Sequence, residues 1–105
     1  MIVQATREGF ILTEKDDFQR FHVAVGDLAH EEFTTAVAAS VDVSPHPTPR
    51  HLWIEVDFLK RELGMDASPQ RTAGLDGLLS YAASKGWLDD GGTRVAAHVV
   101  VPDAA

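Results

Sequence analysis

Apolar residues recur along this chain with two periods, close to two in some stretches and close to 3.6 in others, and the switches between them mark its elements. Residues 9–13, Gly-Phe-Ile-Leu-Thr, are short, apolar and suited to a strand. Beyond the charged stretch Glu14-Lys15-Asp16-Asp17, residues 18–25 alternate. Phe21, Val23 and Val25 fall on one side, and Arg20, His22 and Ala24 on the other. Such alternation predicts a half-buried strand, and the two runs together predict a hairpin closed by the charged residues. Thr13 and Asp16 also have the spacing of a weak capping box, so residues 14–22 have a competing reading as a short helix.

Gly26-Asp27 is a break followed by a helix start. Asp27 can cap, Glu31 and Glu32 suit the positive end of a helix dipole, and Ala29, Phe33, Ala36, Val37 and Ser40 share one stripe, which predicts a helix over 28–40. Residues 42–50, DVSPHPTPR, read as a linker, because Pro45, Pro47 and Pro49 hold the chain extended and forbid helix. Period two returns over 51–56. There Leu52, Ile54 and Val56 oppose His51, Trp53 and Glu55, before Asp57 opens a short helix that Gly64 stops.

The last third carries the clearest signals. Ser68 is a cap and Pro69 occupies the first helical position, where its missing N–H is no loss. Leu75, Leu78, Leu79 and Ala82 make a core stripe, and Gly86 and Trp87 fit a Schellman stop in which Trp87 folds back on Ala82. Gly74 and Gly77 inside this helix each weaken it by up to ~1 kcal/mol relative to alanine. With Ala73, Ser80 and Ser84, Gly77 forms a stripe of small residues, which either lies on the chain's own sheet or serves self-association. Asp89-Asp90-Gly91-Gly92 predicts a two-residue hairpin turn, followed by a strand over 93–101 that Pro102 ends, with residues 103–105 frayed. The elements add up to one α+β domain over residues 1–105. It holds a small antiparallel or mixed sheet of three to five strands, with two main helices, 28–40 and 69–85, on one face.

Composition narrows the function classes. A chain of 105 residues should bury roughly 65% of the surface its unfolded form exposes, enough for a core without staples. It contains no cysteine, which removes disulfides, thiolate metal sites and thiol nucleophiles. The N-terminal residues carry neither a basic segment nor a long apolar one, and nothing approaches a membrane span, so a cytoplasmic protein without membrane attachment is expected. The net charge of −7 is concentrated in residues 1–49, where three basic residues face eight carboxylates. An acidic surface repels phosphate backbones and disfavours nucleic acid as a partner.

No phosphate-binding loop, nucleophile elbow or paired catalytic carboxylate is present, and His30-Glu31 lacks the second histidine of a zinc-protease helix, since Thr34 stands four positions on. What remains is a constellation. His22, His51 and His98 each fall opposite the apolar side of a predicted strand, with Arg20, Trp53, Glu55 and Arg94 on the same sides. If the strands are neighbours, these residues form a binding surface around Trp53 and the small Ala96, unless the 28–40 helix covers it. Three imidazoles would also suffice for a metal, with Glu55 as base or fourth ligand, but they lack ligand spacing, so no metal and no cofactor is expected. The leading expectation is an interaction module without catalytic activity, pairing with a second copy of itself or with another protein. The alternatives are an enzyme or ligand-binding protein using a His/Glu/Arg pocket, and a nucleic-acid binder. In the latter, residues 57–101 follow the element order of a winged helix-turn-helix and present Ser68, Gln70, Arg71 and Thr72.

Overall fold

A computed structural model describes residues 1–64 and 68–101, so the predicted stop at Pro102 and the frayed end lie outside the described residues. Among the described residues the fold is α+β, with six strands in one sheet and three helices. In chain order the elements are β1 (Ile2–Thr6), β2 (Gly9–Thr13), β3 (His22–Ala24), α1 (His30–Ala39), β4 (Val43–Pro45), β5 (His51–Glu55), α2 (Val56–Leu63), α3 (Pro69–Ser84) and β6 (Arg94–Val100). The sheet order is β2-β1-β3-β6-β5-β4, and the sheet is mixed: β1–β3 and β3–β6 are parallel, the other pairs antiparallel.

The predicted hairpin does not form between residues 9–13 and 18–25. β2 turns back on β1 instead, with Ile2 opposite Thr13 and Thr6 opposite Gly9, and β3 lies parallel to β1 on its other side. The tight turn consists of Arg7 and Glu8, which carry none of the glycine or asparagine that normally announces a two-residue hairpin. Thr6 Oγ1 donates to the Gly9 carbonyl across it (2.8 Å). Residues 14–21 form neither strand nor helix. The proline-rich stretch is not wholly a linker either, because β4 forms there as a short edge strand, a position where Pro45 sacrifices no sheet hydrogen bond.

The sheet is curled. α1 touches β1 and β2 near one edge and β4 at the other, while α2 bridges β2 and β5, so the sheet wraps both helices on its concave side. That side holds Val3, Leu12, Val23, Leu52, Ile54, Val95 and Ala97, together with Val37 of α1 and Val56, Phe58, Leu59 and Leu63 of α2. The count of two main helices is therefore one short. α2, expected as a minor element, inserts four buried side chains where α1 inserts one. The cap of α1 is also displaced: Ala29 is its N-cap, and Glu32 reaches back to the Ala29 N–H (3.0 Å).

α3 matches its sequence signals closely. Ser68 Oγ accepts from the Arg71 N–H (3.2 Å) and Pro69 begins the helix. At the other end Trp87 N–H donates to the Ala82 carbonyl (2.8 Å) and Gly86 N–H to Ala83 (3.2 Å), with Gly86 at φ 75°, which is the Schellman pattern. α3 does not lie beside α1. It meets the sheet at β6 and rests against the 14–21 segment, where Arg71 forms a bidentate pair with Asp16 (2.7 and 3.2 Å). The following turn is longer than two residues: Asp89 N–H donates to the Arg94 carbonyl (3.1 Å), leaving residues 90–93 as the loop. β6 then enters the middle of the sheet between β3 and β5, not a projecting wing. Among the described residues no helix is long and apolar enough to cross a membrane.

Candidate functional site

The convex face of the sheet follows from register. His22 pairs with His98, and His98 pairs with His51, so histidines on β3, β6 and β5 stand in one row across the sheet. Along β5 the next residue on this face is Trp53, opposite Ala96 on β6 and Ser44 on β4. The strands of Trp53 and His98 are thus adjacent, and α1 does not cover them. Its Phe33 meets Phe10 edge to face (6.3 Å), and Phe10 pairs with Ala5 on the concave side.

His46, in the β4–β5 connection, extends the row. Its ring centroid lies 5.7 Å from that of His51 and 4.4 Å from that of Trp53, and the rings of His51 and His98 are 5.3 Å apart. Local bonds fix two of these rings. The Thr48 N–H donates to His46 Nδ1 (2.9 Å). His51 Nδ1 lies 2.9 Å from the Pro49 carbonyl, which can only accept, so Nδ1 carries a proton and Nε2 is the free ring nitrogen. Arg50, at φ 62°, makes the turn that presents His51, and its carbonyl accepts from Val99 N–H (2.7 Å). The proton affinity of His22 is held below the ordinary histidine range, first by burial, then by the terminal ammonium, Arg20 and His98.

The expected surface divides into parts. Glu55 and Arg94 are register partners and pair with each other (3.3 Å). They stand four residues along their strands from His51 and His98, about 13 Å at the usual rise. They do not join the imidazoles in one pocket. Arg20 precedes β3, is exposed, and lies 3.7 Å from Asp17. The histidines line up at the spacing of neighbouring strands and do not converge. Among the described residues no three His, Cys, Asp or Glu side chains are grouped closely enough to hold a metal ion.

Beside the row opens a cleft of about 750 Å³. Phe18 and Phe21 wall it on one side, Ala73, Gly77 and Tyr81 of α3 on another, and Trp87, Ala96, His51 and His98 also border it. It exists because β3 begins only at His22, while the chain after α3 pairs with β6 only around Leu88 and Val95, leaving a gap along β6. Tyr81 and Trp87 meet edge to face across their centroids (5.7 Å). Sequence reasoning missed this cleft, since Phe18 and Phe21 read as strand residues. The signal available for it was the stripe of small residues on α3, two of which, Ala73 and Gly77, form its wall. No protein-family model matches the chain, and no curated protein and no solved structure matches it.

Proposed function

We propose that the protein is a non-catalytic interaction module that pairs with a second copy of itself through the convex face of its sheet. The observation that carries this reading is the charge of that face. The chain holds 16 acidic residues and a net charge of −7, so two copies repel each other over most of their surfaces. On the convex face register places Ile2, Gln4, Ile11, Thr13, Ala24, Val100 and the histidine row, and the carboxylate among the described strand residues there is Glu55, neutralised by Arg94. The same face leaves Ile11 46% and Val100 43% exposed, in one cross-strand row with Gln4 and Ala24 between them. A neutral, apolar sheet face on an acidic protein fits a like face with the least electrostatic cost.

Light scattering after size exclusion tests this. The wild type is expected to run as a dimer at micromolar concentrations near neutral pH. Ile11→Glu and Val100→Glu are each expected to be monomers with an unchanged circular-dichroism spectrum. A monomeric wild type, or glutamate variants that remain dimeric, would remove the reading.

A further inference from the structure

We infer that the cleft between α3, the 18–21 segment and β6 binds a small aromatic carboxylate, its ring among Phe18, Phe21, Tyr81 and Trp87 and its anionic group at His51 and His98. The size suits a small molecule: about 750 Å³ lies inside the range of about 300–1,000 Å³ common to ligand sites. Aromatic walls favour an aromatic ring through offset and edge-to-face contacts. Charge selects the polar end. In a chain of net charge −7 no carboxylate borders this cleft among the described residues, and its titratable groups are the two imidazoles and the Tyr81 phenol.

His51 is prepared for an anion. Its Nδ1–H donates to the Pro49 carbonyl, so Nε2 is the atom left for a ligand. A proton taken up there makes Nε2 a donor without disturbing the Pro49 bond, and the His98 ring 5.3 Å away can supply a second N–H to the other carboxylate oxygen. Binding therefore takes up protons. The other groups facing this pair are His46 next to His51 and His22 next to His98, with Arg20 and the terminal ammonium beyond His22. None is an acid that would compete for the imidazoles.

Gly77 is the independent observation. Gly74 has a packing reason to lack a side chain, because a Cβ there would stand 2.4 Å from the Phe18 ring. A Cβ on Gly77 would meet nothing within 4 Å, yet Gly77 borders the cleft. A residue that weakens the helix thus stands at the wall of the cleft with open space beside it, where a large side chain can compete with a ligand.

The test is an NMR titration of the full chain with 1-naphthoate, with 1-naphthamide and decanoate as controls. Saturable shifts are expected at the cleft residues, with naphthoate at least about tenfold tighter than either control, and tighter at about pH 6 than at about pH 8. Gly77→Leu is expected to abolish binding. His51→Gln with His98→Gln is expected to bring naphthoate down to the level of naphthamide and remove the pH dependence, and it decides the matter if Gly77→Leu fails to fold. Equal affinity for naphthoate and either control, shifts centred elsewhere, no saturable binding, or binding retained by folded Gly77→Leu would each overturn the inference. The His51–His98 pair belongs to the face proposed for self-association, so the two readings are separated by Val100→Glu, which lies outside the cleft lining and is expected to bind naphthoate as the wild type does.

Discussion

The ring of Phe18 lies against the backbone of α3 at Gly74, so closely that a Cβ on that glycine would stand 2.4 Å from two of its carbons. With the Arg71–Asp16 pair, Phe18 thereby seats α3 against the segment leading into β3. Gly74→Ala gains helix propensity but forces the ring aside, for a net loss of up to about 2 kcal/mol. Gly77→Ala, three residues on, meets open space and should gain about 0.5–1 kcal/mol. Urea denaturation of the two variants should move in opposite directions from the wild type.

The core predicts a second contrast. Leu59 of α2 is fully buried, while Leu78 of α3 is half-buried at the cleft. Leu59→Ala leaves a cavity with no route for solvent and should lose about 2–5 kcal/mol. Leu78→Ala, already against open space, should lose nearer to 1 kcal/mol, about what partial burial of the side chain contributes. Equal losses in urea would mean that α3 is as much a part of the core as α2.

Which of these features the sequence announces depends on whether their cause is local. The ends of α3 are local, since Ser68, Pro69, Gly86 and Trp87 act on backbone groups within a few residues, and each does what its type implies. The alternation of β5 and β6 is legible as apolar and polar sides, but their adjacency is not, since strand order is set by pairing across distant parts of the chain. The partner of β2 is not legible either, because β1 is not among the strands that the pattern predicts and the turn that joins the two, Arg7-Glu8, has no conformational signature. The weight of α2 was hidden for a related reason. Eight residues are few for a helix in isolation, and only the curl of the sheet around Phe58 and Leu59 makes it central. The histidine row could be listed from alternation, but its separation from Glu55 and Arg94 depends on register, and the cleft depends on where β3 starts.

His22 gives a pH dependence with a definite sign. Burial, the terminal ammonium, Arg20 and His98 all disfavour its charged form in the folded state. Its folded proton affinity is therefore below that of the unfolded chain, where histidine titrates near about 6.5. At pH well above that value both states are neutral at this position and it contributes nothing. As pH falls through about 6.5 the unfolded state takes up its proton first and stability declines, until the folded state also protonates and the loss levels off. His22→Gln should flatten this decline. The wild type minus variant difference, from urea melts between about pH 7.5 and about pH 5.5, should grow as pH falls. A difference independent of pH would place the effect of the substitution in packing instead.

The loop that leads into β6 depends on one carboxylate. Asp89 Oδ1 accepts the N–H groups of Thr93 (2.8 Å) and Arg94 (3.1 Å), and Oδ2 accepts the Thr93 hydroxyl (3.0 Å). Burial works to raise its pKa, but the N–H groups of Arg94 and Thr93, the Thr93 hydroxyl and the Arg94 charge outweigh that and hold it below the usual carboxylate range. A carboxyl with a lowered folded pKa contributes stability above its unfolded value of about 3.9 and loses it as pH falls through the lower folded value. Asp89→Ala should melt at a lower temperature than the wild type near neutral pH, with the gap closing in acid as the wild-type carboxyl protonates. Asp89→Asn keeps one acceptor oxygen and should fall between the two at neutral pH. Because Leu88 pairs with Val95 immediately inside this loop, amide exchange at residues 88–95 should quicken in Asp89→Ala while that of β1 and β2 stays as in the wild type. A melting gap that persists unchanged into acid would show that the hydrogen bonds of the Asp89 side chain hold the turn whatever its charge.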